Sequence, residues 1–302
     1  MAKLNRIYRL TIQTQDTFGN PTDEALIVEN PITIDFSVER SMYAGMNTLD
    51  VDIYNLSPDH RNLLFQDVYG INYKNVILEA GYEGQGMTVI FNGNIWSAYS
   101  QRRGVNILTH IHAIDGLSTQ SSLIHTTLQS GSTLQNVIQN LTGAIPDLKN
   151  GTQSIPDYTF NRPMVLNGNA YRLLKTYSDN NVFVDMKTIN IMKVNDVIEG
   201  FVPLINDESG LLATPERRDA TLTINMIFEP RLLIGQVIEV QSHIAPQFDG
   251  QYKIFGLKHS GTISDSVAGQ CVTTIQMQVG SQVFGRFNVL KAEQQQISLG
   301  FV

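Results

Sequence analysis

Residues 248–257 read FDGQYKIFGL, and residues 91–98 read FNGNIWSA. Each stretch begins with Phe, has a Gly two residues later and continues with aromatic and β-branched residues, which is the pattern of a Gly-bearing strand. The flanking segments also correspond: an apolar strand comes before each stretch (76–80 and 237–240), and a loop that ends in Gly leads to a further strand (106–112 and 271–277). This order predicts two copies of one antiparallel β module. Unrelated antiparallel modules can share such a pattern, so the sequence leaves open whether the copies share one fold.

Period-two alternation extends outward from both copies. Residues 7–13 alternate apolar and polar positions, and residues 32–38, 47–54 and 221–228 read as further strands. The segment Gly84-Gln85-Gly86 lacks the Lys and the helix of a phosphate-binding loop, so a hairpin turn is predicted there. The chain is therefore expected to be mainly β.

The middle of the chain changes to helical patterns. Apolar residues recur at helical spacing in residues 132–143, and we predict a helix there that Ser132 caps. A loop is predicted over 144–168, a second helix over 169–178 and a hairpin over 182–192. The sequence thus predicts a small α+β insertion between the two β-rich parts.

Composition argues against several kinds of partner. The chain of 302 residues has a formal net charge of -7, and its short basic clusters are the pairs Arg102-Arg103 and Arg217-Arg218. A nucleic-acid site needs a larger group of Lys and Arg, so no direct reading of nucleic-acid sequence is expected. The single cysteine, Cys271, excludes an intramolecular disulfide bond. Apolar runs are all too short for a membrane span, so no membrane insertion is expected.

The reactive side chains favour a protein without a catalytic site. His110 and His112 lie two residues apart, so on a strand they point to the same face and could share a metal with Asp115. Two histidines without a clear third ligand are more often structural, and we predict no metal. The motifs of serine hydrolases, zinc proteases and nucleotide-binding loops are missing from the sequence. We therefore expect no enzyme activity and no cofactor.

Five segments of the last third carry a family resemblance. They combine Gly, Pro and apolar positions and are residues 211–216, 221–228, 229–240, 250–261 and 269–275. Together they resemble the baseplate hub proteins of contractile-tailed bacteriophages, which are related to the hub part of type VI secretion spike proteins. Earlier parts of the chain follow the same layout, so the resemblance covers most of the sequence.

The resemblance implies a fold and an assembly. We expect two tube-like antiparallel β-barrel or sandwich modules that flank the α+β module, with domains at residues 1–118, 119–215 and 216–302 and a C-terminal arm on the last. The family implies a structural homotrimer that forms a pseudo-six-fold ring and joins hexameric tail tube proteins to a trimeric spike protein, next to other baseplate proteins. The expected location is the tail baseplate of a virion, after synthesis and assembly in the host bacterial cytoplasm.

Two segments are candidate partner contacts because they combine predicted exposure with apolar side chains. A predicted hairpin tip offers Met42, Tyr43 and Met46, and the C-terminal arm offers Phe301 and Val302. We expect these residues to touch neighbouring tail proteins.

A different function is also compatible with a tail location. The alternative is a carbohydrate-binding or hydrolytic tail-tip module, which needs a concave groove lined by exposed aromatic side chains. The single Trp96 falls in a strand that we expect to be packed, so the structural interpretation is preferred.

Overall fold

The computed structural model describes residues 5–15, 21–43, 45–65, 73–265, 269–278 and 288–290, and their fold is mainly β. The first strands are β1 (Arg6–Gln15), β2 (Pro21–Glu29), β3 (Ile34–Ser41), β4 (Thr48–Tyr54), β5 (Asn75–Tyr82), β6 (Gly86–Arg103) and β7 (Asn106–Ile114). Those in the middle are β8 (Leu123–Leu128), β9 (Lys149–Gln153), β10 (Met164–Asn169), β11 (Val182–Asp185), β12 (Thr188–Ile191), β13 (Asp196–Ile198) and β14 (Leu204–Ile205). The last are β15 (Glu216–Arg218), β16 (Thr221–Ile227), β17 (Val237–Val240), β18 (Gly250–Ile263), β19 (Cys271–Gln278) and β20 (Asn288–Leu290).

Three α-helices interrupt the strands of the described residues: α1 (Pro58–Leu64), α2 (Leu134–Gly143) and α3 (Ala170–Tyr177). The Asn169 side chain caps α3 by accepting a hydrogen bond from the Arg172 N–H at 2.8 Å. The predicted cap of α2 is wrong by one residue. Thr133 caps it, because Thr133 and Asn136 exchange side-chain-to-backbone hydrogen bonds in a capping box. Among the described residues, no helix combines the length and apolar character needed to cross a membrane.

One sheet joins the two ends of the chain. It has thirteen strands, its main path runs β15-β16-β19-β18-β3-β4-β7-β6-β5-β1-β2, and β17 pairs with both β18 and β14. The sheet is continuous because β18, from the last third of the sequence, pairs antiparallel with β3. Strands that are more than 200 residues apart in sequence are therefore direct neighbours.

Alternation along each strand turns one face of the sheet toward the interior. In β3 the side chains of Ile34, Phe36 and Val38 are buried, while the positions between them are half-buried. A register slip of one residue would move all three apolar side chains to the other face. The period-two pattern of the sequence therefore fixes which face of each strand enters a core.

Buried apolar residues form three clusters. The first lies on strands β1–β7 and also takes in Phe228, Ile263 and Cys271 from the last third of the chain. The second is built mainly from β16–β19 and includes Met42. The third packs α2 and α3 against β11 and β12. The predicted α+β insertion therefore has a core of its own, and the mainly β fold with this insertion is confirmed.

The predictions for the middle of the chain are partly right. The hairpin over 182–192 is confirmed as β11 and β12, and positive φ angles at Met186 and Lys187 form its two-residue turn. The expectation of a loop over 144–168 is wrong, because that stretch contains β9 and most of β10. Those strands pair with β12 and β8, which are distant in sequence, and β9 is rich in polar residues.

Candidate functional site: two matched strand modules and their junction

Two groups of strands share one connectivity. We call strands β3–β7 the first module and strands β15–β19 the second module. In the first module β3 pairs with β4, β5 with β6 and β6 with β7, and β7 returns to pair with β4. In the second module β15 pairs with β16, β17 with β18 and β18 with β19, and β19 returns to pair with β16. All eight pairings are antiparallel. The predicted duplication is therefore present in the order and pairing of the strands.

The long strand of each module is irregular at an equivalent point. β6 pairs with β5 through its first half and with β7 through its second, and the shift in register leaves Trp96 as an extra residue. β18 passes from β17 to β19 in the same way and leaves Phe255 as the extra residue. Such a bulge bends the strand and increases its twist. Trp96 and Phe255 thus define which residues of the two modules correspond.

With the modules aligned on these bulges, their buried positions coincide. Six equivalent pairs are buried in both modules: Leu49 and Leu222, Val51 and Ile224, Ile53 and Met226, Thr109 and Thr273, Ile111 and Ile275, Ala113 and Met277. Two modules that merely shared a general strand pattern would have no reason to bury a threonine at the same position. The structure therefore supports a duplicated fold.

The buried threonines contact equivalent residues of the long strands. Thr109 shares a hydrogen bond of 3.0 Å with Ser100, and Thr273 shares one of 2.9 Å with Nδ1 of His259. His259 is fully buried, and this burial, with a smaller effect from the Arg40 charge, lowers its pKa to about 3. The second module therefore holds a neutral imidazole at the position where the first has an exposed serine.

A strand pairing joins the two modules. β18 pairs with β3 from Gly256 opposite Ser41 to Ile263 opposite Ile34. On the solvent side Lys258 lies opposite Glu39, with 2.6 Å between Nζ and Oε1. Underneath, the ring of Phe228 meets that of Phe36 edge-on at 6.0 Å. Backbone pairing and core contacts together hold the modules side by side.

A buried ion pair fixes the middle of the chain against this sheet. Arg40, at the end of β3, is 3% exposed and donates hydrogen bonds of 2.8 and 2.6 Å to the two carboxylate oxygens of Asp185. Asn47 adds hydrogen bonds to Asp185 at 2.9 Å and to the Val184 carbonyl at 3.0 Å. The pair joins residues 145 positions apart, so no local sequence signal could have revealed it.

A second carboxylate lies beside the same contact. Asp115 is buried and accepts a hydrogen bond of 3.0 Å from the backbone N–H of Lys187. Its burial, together with the nearby charge of Asp185, raises its pKa to about 7. Burial also lowers the pKa of Lys187. Asp115 thus belongs to the contact between the sheet and the β11–β12 hairpin.

The two histidines singled out in the sequence point to one face of β7, as their spacing predicts. Nδ1 of His110 is 2.8 Å from Asp52, and Nδ1 of His112 is 2.7 Å from Asp50. With Asp35, several of these side chains line a cavity of about 380 Å³. No group of three or more potential ligands within the described residues is suited to a metal ion. The cross-strand pairs orient the imidazoles.

The candidate contact residues differ in their surroundings. Tyr43 is 57% exposed and its ring lies 5.4 Å from that of Phe255, whereas Met46 is half-buried. The expected exposure of Met42 is wrong: its side chain is 6% exposed and lies in the second cluster, because its backbone follows β18 through a hydrogen bond to the Phe255 carbonyl. Whether this tip touches a neighbour stays a prediction.

The other two candidates, Phe301 and Val302, lie outside the described residues. Their proposed contact role therefore remains a prediction from the sequence. In sequence, the described residue nearest to them is Leu290, at the end of β20, which pairs in parallel with β13.

Comparison with known families identifies the kind of protein. A family model described as baseplate hub gp41 matches residues 7–265, which is far more than half of the chain. The chain belongs to this baseplate hub family. The resemblance noted in the last third of the sequence is therefore confirmed for most of the hub chain. No curated protein sequence matches the hub chain.

Solved structures show where the same fold occurs. The hub chain is similar to the 43 kDa tail protein of prophage MuSo2 from Shewanella oneidensis, with 9% identity, a TM-score of 0.57 and coverage of 90% of this chain and 98% of that one. A tail protein from Neisseria meningitidis MC58 has 10% identity, a TM-score of 0.56 and coverage of 90% and 96%. The E. coli c3393 protein, a type VI secretion component described as similar to the T4 tail proteins gp27 and gp5, has 11% identity, a TM-score of 0.55 and coverage of 82% and 74%. At these identities the likeness concerns the fold.

Proposed function

We propose that the chain is a structural hub that assembles as a homotrimer and adapts a hexameric tail tube to a trimeric spike protein. The observation that carries the proposal is the shared connectivity of the first and second modules. Each chain has two equivalent modules, so a closed trimer presents six of them around its axis. A ring of this kind can meet a six-fold partner on one side and a three-fold partner on the other.

Differences between the two modules support the proposed binding of a trimeric spike. Equivalent exposed positions carry Tyr99 in the first module and Lys258 in the second, and the buried His259 replaces Ser100. Tail tube subunits would contact features that both modules share, whereas the spike would contact features that occur once in each chain. Six-fold and three-fold recognition can therefore coexist on one ring.

The division of the chain follows from the same proposal. Residues 1–118 and 216–302 form the two tube domains, and residues 119–215 form the middle module. Residues 124–191 of this module have a core of their own, and its later strand β14 pairs with β17 of the second module. Exposed apolar side chains on the middle module, including Leu123 and Val165, suit contacts with other baseplate proteins. We assign the chain to the virion tail baseplate, after synthesis in the host bacterial cytoplasm, and assign it no catalytic step.

Copy number in purified tail particles tests the proposal. Quantitative mass spectrometry should find three hub chains for every six tube subunits of one tube ring, and cryo-electron microscopy should locate them between the tube and the spike. The tube protein serves as the internal standard. Absence of the chain from the particle, or six copies of it, would contradict the proposal, and specific glycan binding would favour the carbohydrate-binding alternative.

A further inference from the structure

Among the strand edges of the large sheet that carry no partner in the described residues, two belong to the matched modules. The second half of β6, residues 97–103, pairs with β7 on one side, whereas β5 covers the first half of the strand. β15 pairs with β16 on one side in the same way. Residues 99–103 and 216–218 are exposed. An open edge offers backbone N–H and C=O groups to which a further strand can bind.

The junction inside the chain indicates what kind of strand fits these edges. The half of β18 that is equivalent to residues 97–103 is covered, because it pairs with β3. Within each module the strand equivalent to β3 is β15, since β3 pairs with β4 as β15 pairs with β16. The covered edge in the second module therefore has a direct counterpart in the open edge of the first.

We infer that the second half of β6 pairs antiparallel with β15 of the partner subunit, repeating between chains the β18–β3 pairing that exists within each chain. This inference rests on the proposed ring and names the strands that close it. Eight strands of each chain, from β15 to β6 along the sheet path, would then form one continuous barrel wall. Closure of the ring would cover both of these edges.

The internal junction also sets the register of the new pairing. In the β18–β3 contact Ser260 lies opposite Ser37. Aligning the modules on their bulges makes Gln101 the equivalent of Ser260, and the hairpin register makes Glu216 the equivalent of Ser37. Gln101 should therefore lie opposite Glu216 of the partner subunit.

Side chains at the two edges suit this register. The ion pair of Lys258 with Glu39 at the internal junction is replaced by Tyr99 opposite Arg218 of the partner subunit, where the guanidinium can lie on the ring. Two residues beyond Gln101 on the same face, Arg103 is diagonal to Glu216 of the partner subunit, close enough for opposite charges to attract. The inferred edge thus has its own polar contacts.

The two arginine pairs disfavour incorrect pairing. Arg102-Arg103 lies on the β6 edge and Arg217-Arg218 on the β15 edge. Pairing of β6 with β6, or of β15 with β15, would bring these like charges together. In the inferred register the arginines lie at opposite ends of the contact, each opposite an uncharged residue. Charged residues at strand edges are a known means of preventing unspecific edge pairing.

A disulfide between subunits tests the register in the full-length chain. The variant Gln101→Cys/Glu216→Cys is produced with the other tail proteins, the particles are purified, and the chains are separated under non-reducing conditions after mild oxidation. Directly opposed residues of antiparallel strands have Cα atoms within disulfide range. We expect species of two and three linked chains, which disappear on reduction. The native Cys271 is buried, and each single-cysteine variant controls for its reaction.

A shifted pair is the matched control. In Gln101→Cys/Arg217→Cys the second cysteine points to the other face of the strand, so at least tenfold less linked product is expected. Particles that contain three hub chains but link neither pair, or link the shifted pair better, overturn the inference and leave the hub function standing. Particles without the chain overturn both. A density map of wild-type particles decides the point without substitutions, since β6 either lies beside β15 of the partner subunit or does not.

Discussion

At the scale of single residues, a buried ion pair lies at the contact with the middle module. Arg40 is enclosed and bound to both oxygens of Asp185, which is itself almost completely buried. A buried pair of this kind gains little net stability over apolar residues of the same size, but removing one partner leaves an uncompensated charge. The pair therefore matters for position: it holds β11 against the end of β3.

Replacement of the arginine should be strongly destabilising. We expect Arg40→Leu to lower the free energy of unfolding by about 3–5 kcal/mol, measured by urea denaturation, because Asp185 loses its counter-charge in a buried site. The matched control is Arg9→Leu, which removes the exposed ion pair with Glu29 and should change stability by less than about 1 kcal/mol. Equal effects of the two substitutions would show that Arg40 has no special role.

Asp115 should give the protein a measurable pH dependence. Because its pKa is raised to about 7 in the folded state, from 3.8, the folded chain binds more protons than the unfolded chain between those values. The contribution of Asp115 to stability is therefore largest below about pH 4 and is lost as the pH rises to about 7. The loss is on the order of 1–4 kcal/mol.

The variant Asp115→Asn isolates this contribution, because all other titrating groups are common to the two proteins. Its free energy of unfolding relative to the wild type should increase as the pH is raised from about 4 to about 7. Chemical denaturation at several pH values measures the difference. A difference that does not vary with pH would mean that Asp115 is ionised in the folded protein throughout this range.

At the scale of elements, β6 is a strand with a tightly constrained geometry. Its 18 residues pair with β5 along the first half and with β7 along the second, and Gly93 lies where the two pairings meet. A Cβ atom at Gly93 would come within 2.7 Å of the Ile114 carbonyl oxygen and of the Phe91 ring. The absence of a side chain is what allows the backbones to approach so closely.

A methyl group at this position should disturb the first module. We expect Gly93→Ala to lower the thermal unfolding midpoint and to cost about 1–3 kcal/mol, because a backbone carbonyl cannot move aside as a side-chain tip can. The matched control is Gly200→Ala, where a Cβ meets nothing within 4 Å. Similar midpoints for both variants would show that β6 tolerates the larger residue.

At the scale of the whole molecule, the two modules share one sheet, and the first core cluster takes in side chains from the last third of the chain. Phe228 belongs to the last third of the chain, yet it packs in the first cluster, and its carbonyl accepts a hydrogen bond of 2.8 Å from the Tyr82 hydroxyl. Loss of order in the second module should therefore reach the first. The single Trp96, on β6, reports on the first module by fluorescence.

Truncation of this shared side chain tests the coupling. Phe228→Ala should lower the free energy of unfolding by about 3–5 kcal/mol, and the Trp96 fluorescence transition should move together with the circular-dichroism transition. The control is Val105→Ala at an exposed loop position, which should leave both transitions in place. A fluorescence transition that stays at its wild-type position would indicate modules that unfold independently.

Sequence patterns predicted the parts of this protein whose structure depends on near neighbours. Alternation along β3 and β16, the turn at Gly84-Gln85-Gly86 and the β11–β12 hairpin follow from side-chain period and turn chemistry. The duplicated order of strands was readable for the same reason. Met42 and the stretch 144–168 were misread, since their burial and pairing depend on segments far away in the chain.

By itself, then, the sequence determined the mainly β fold, the repeated module and the family, because periodicity, glycine turns and strand order are local properties. Only the tertiary structure decided that β18 pairs with β3 and that Arg40 meets Asp185. It also decided that β3 covers one strand edge of the second module, whereas the equivalent edge of the first module has no partner strand among the described residues. These contacts join residues 145 or more positions apart. Backbone pairing and burial at such distances depend on how the modules pack in space, which no window of the sequence contains.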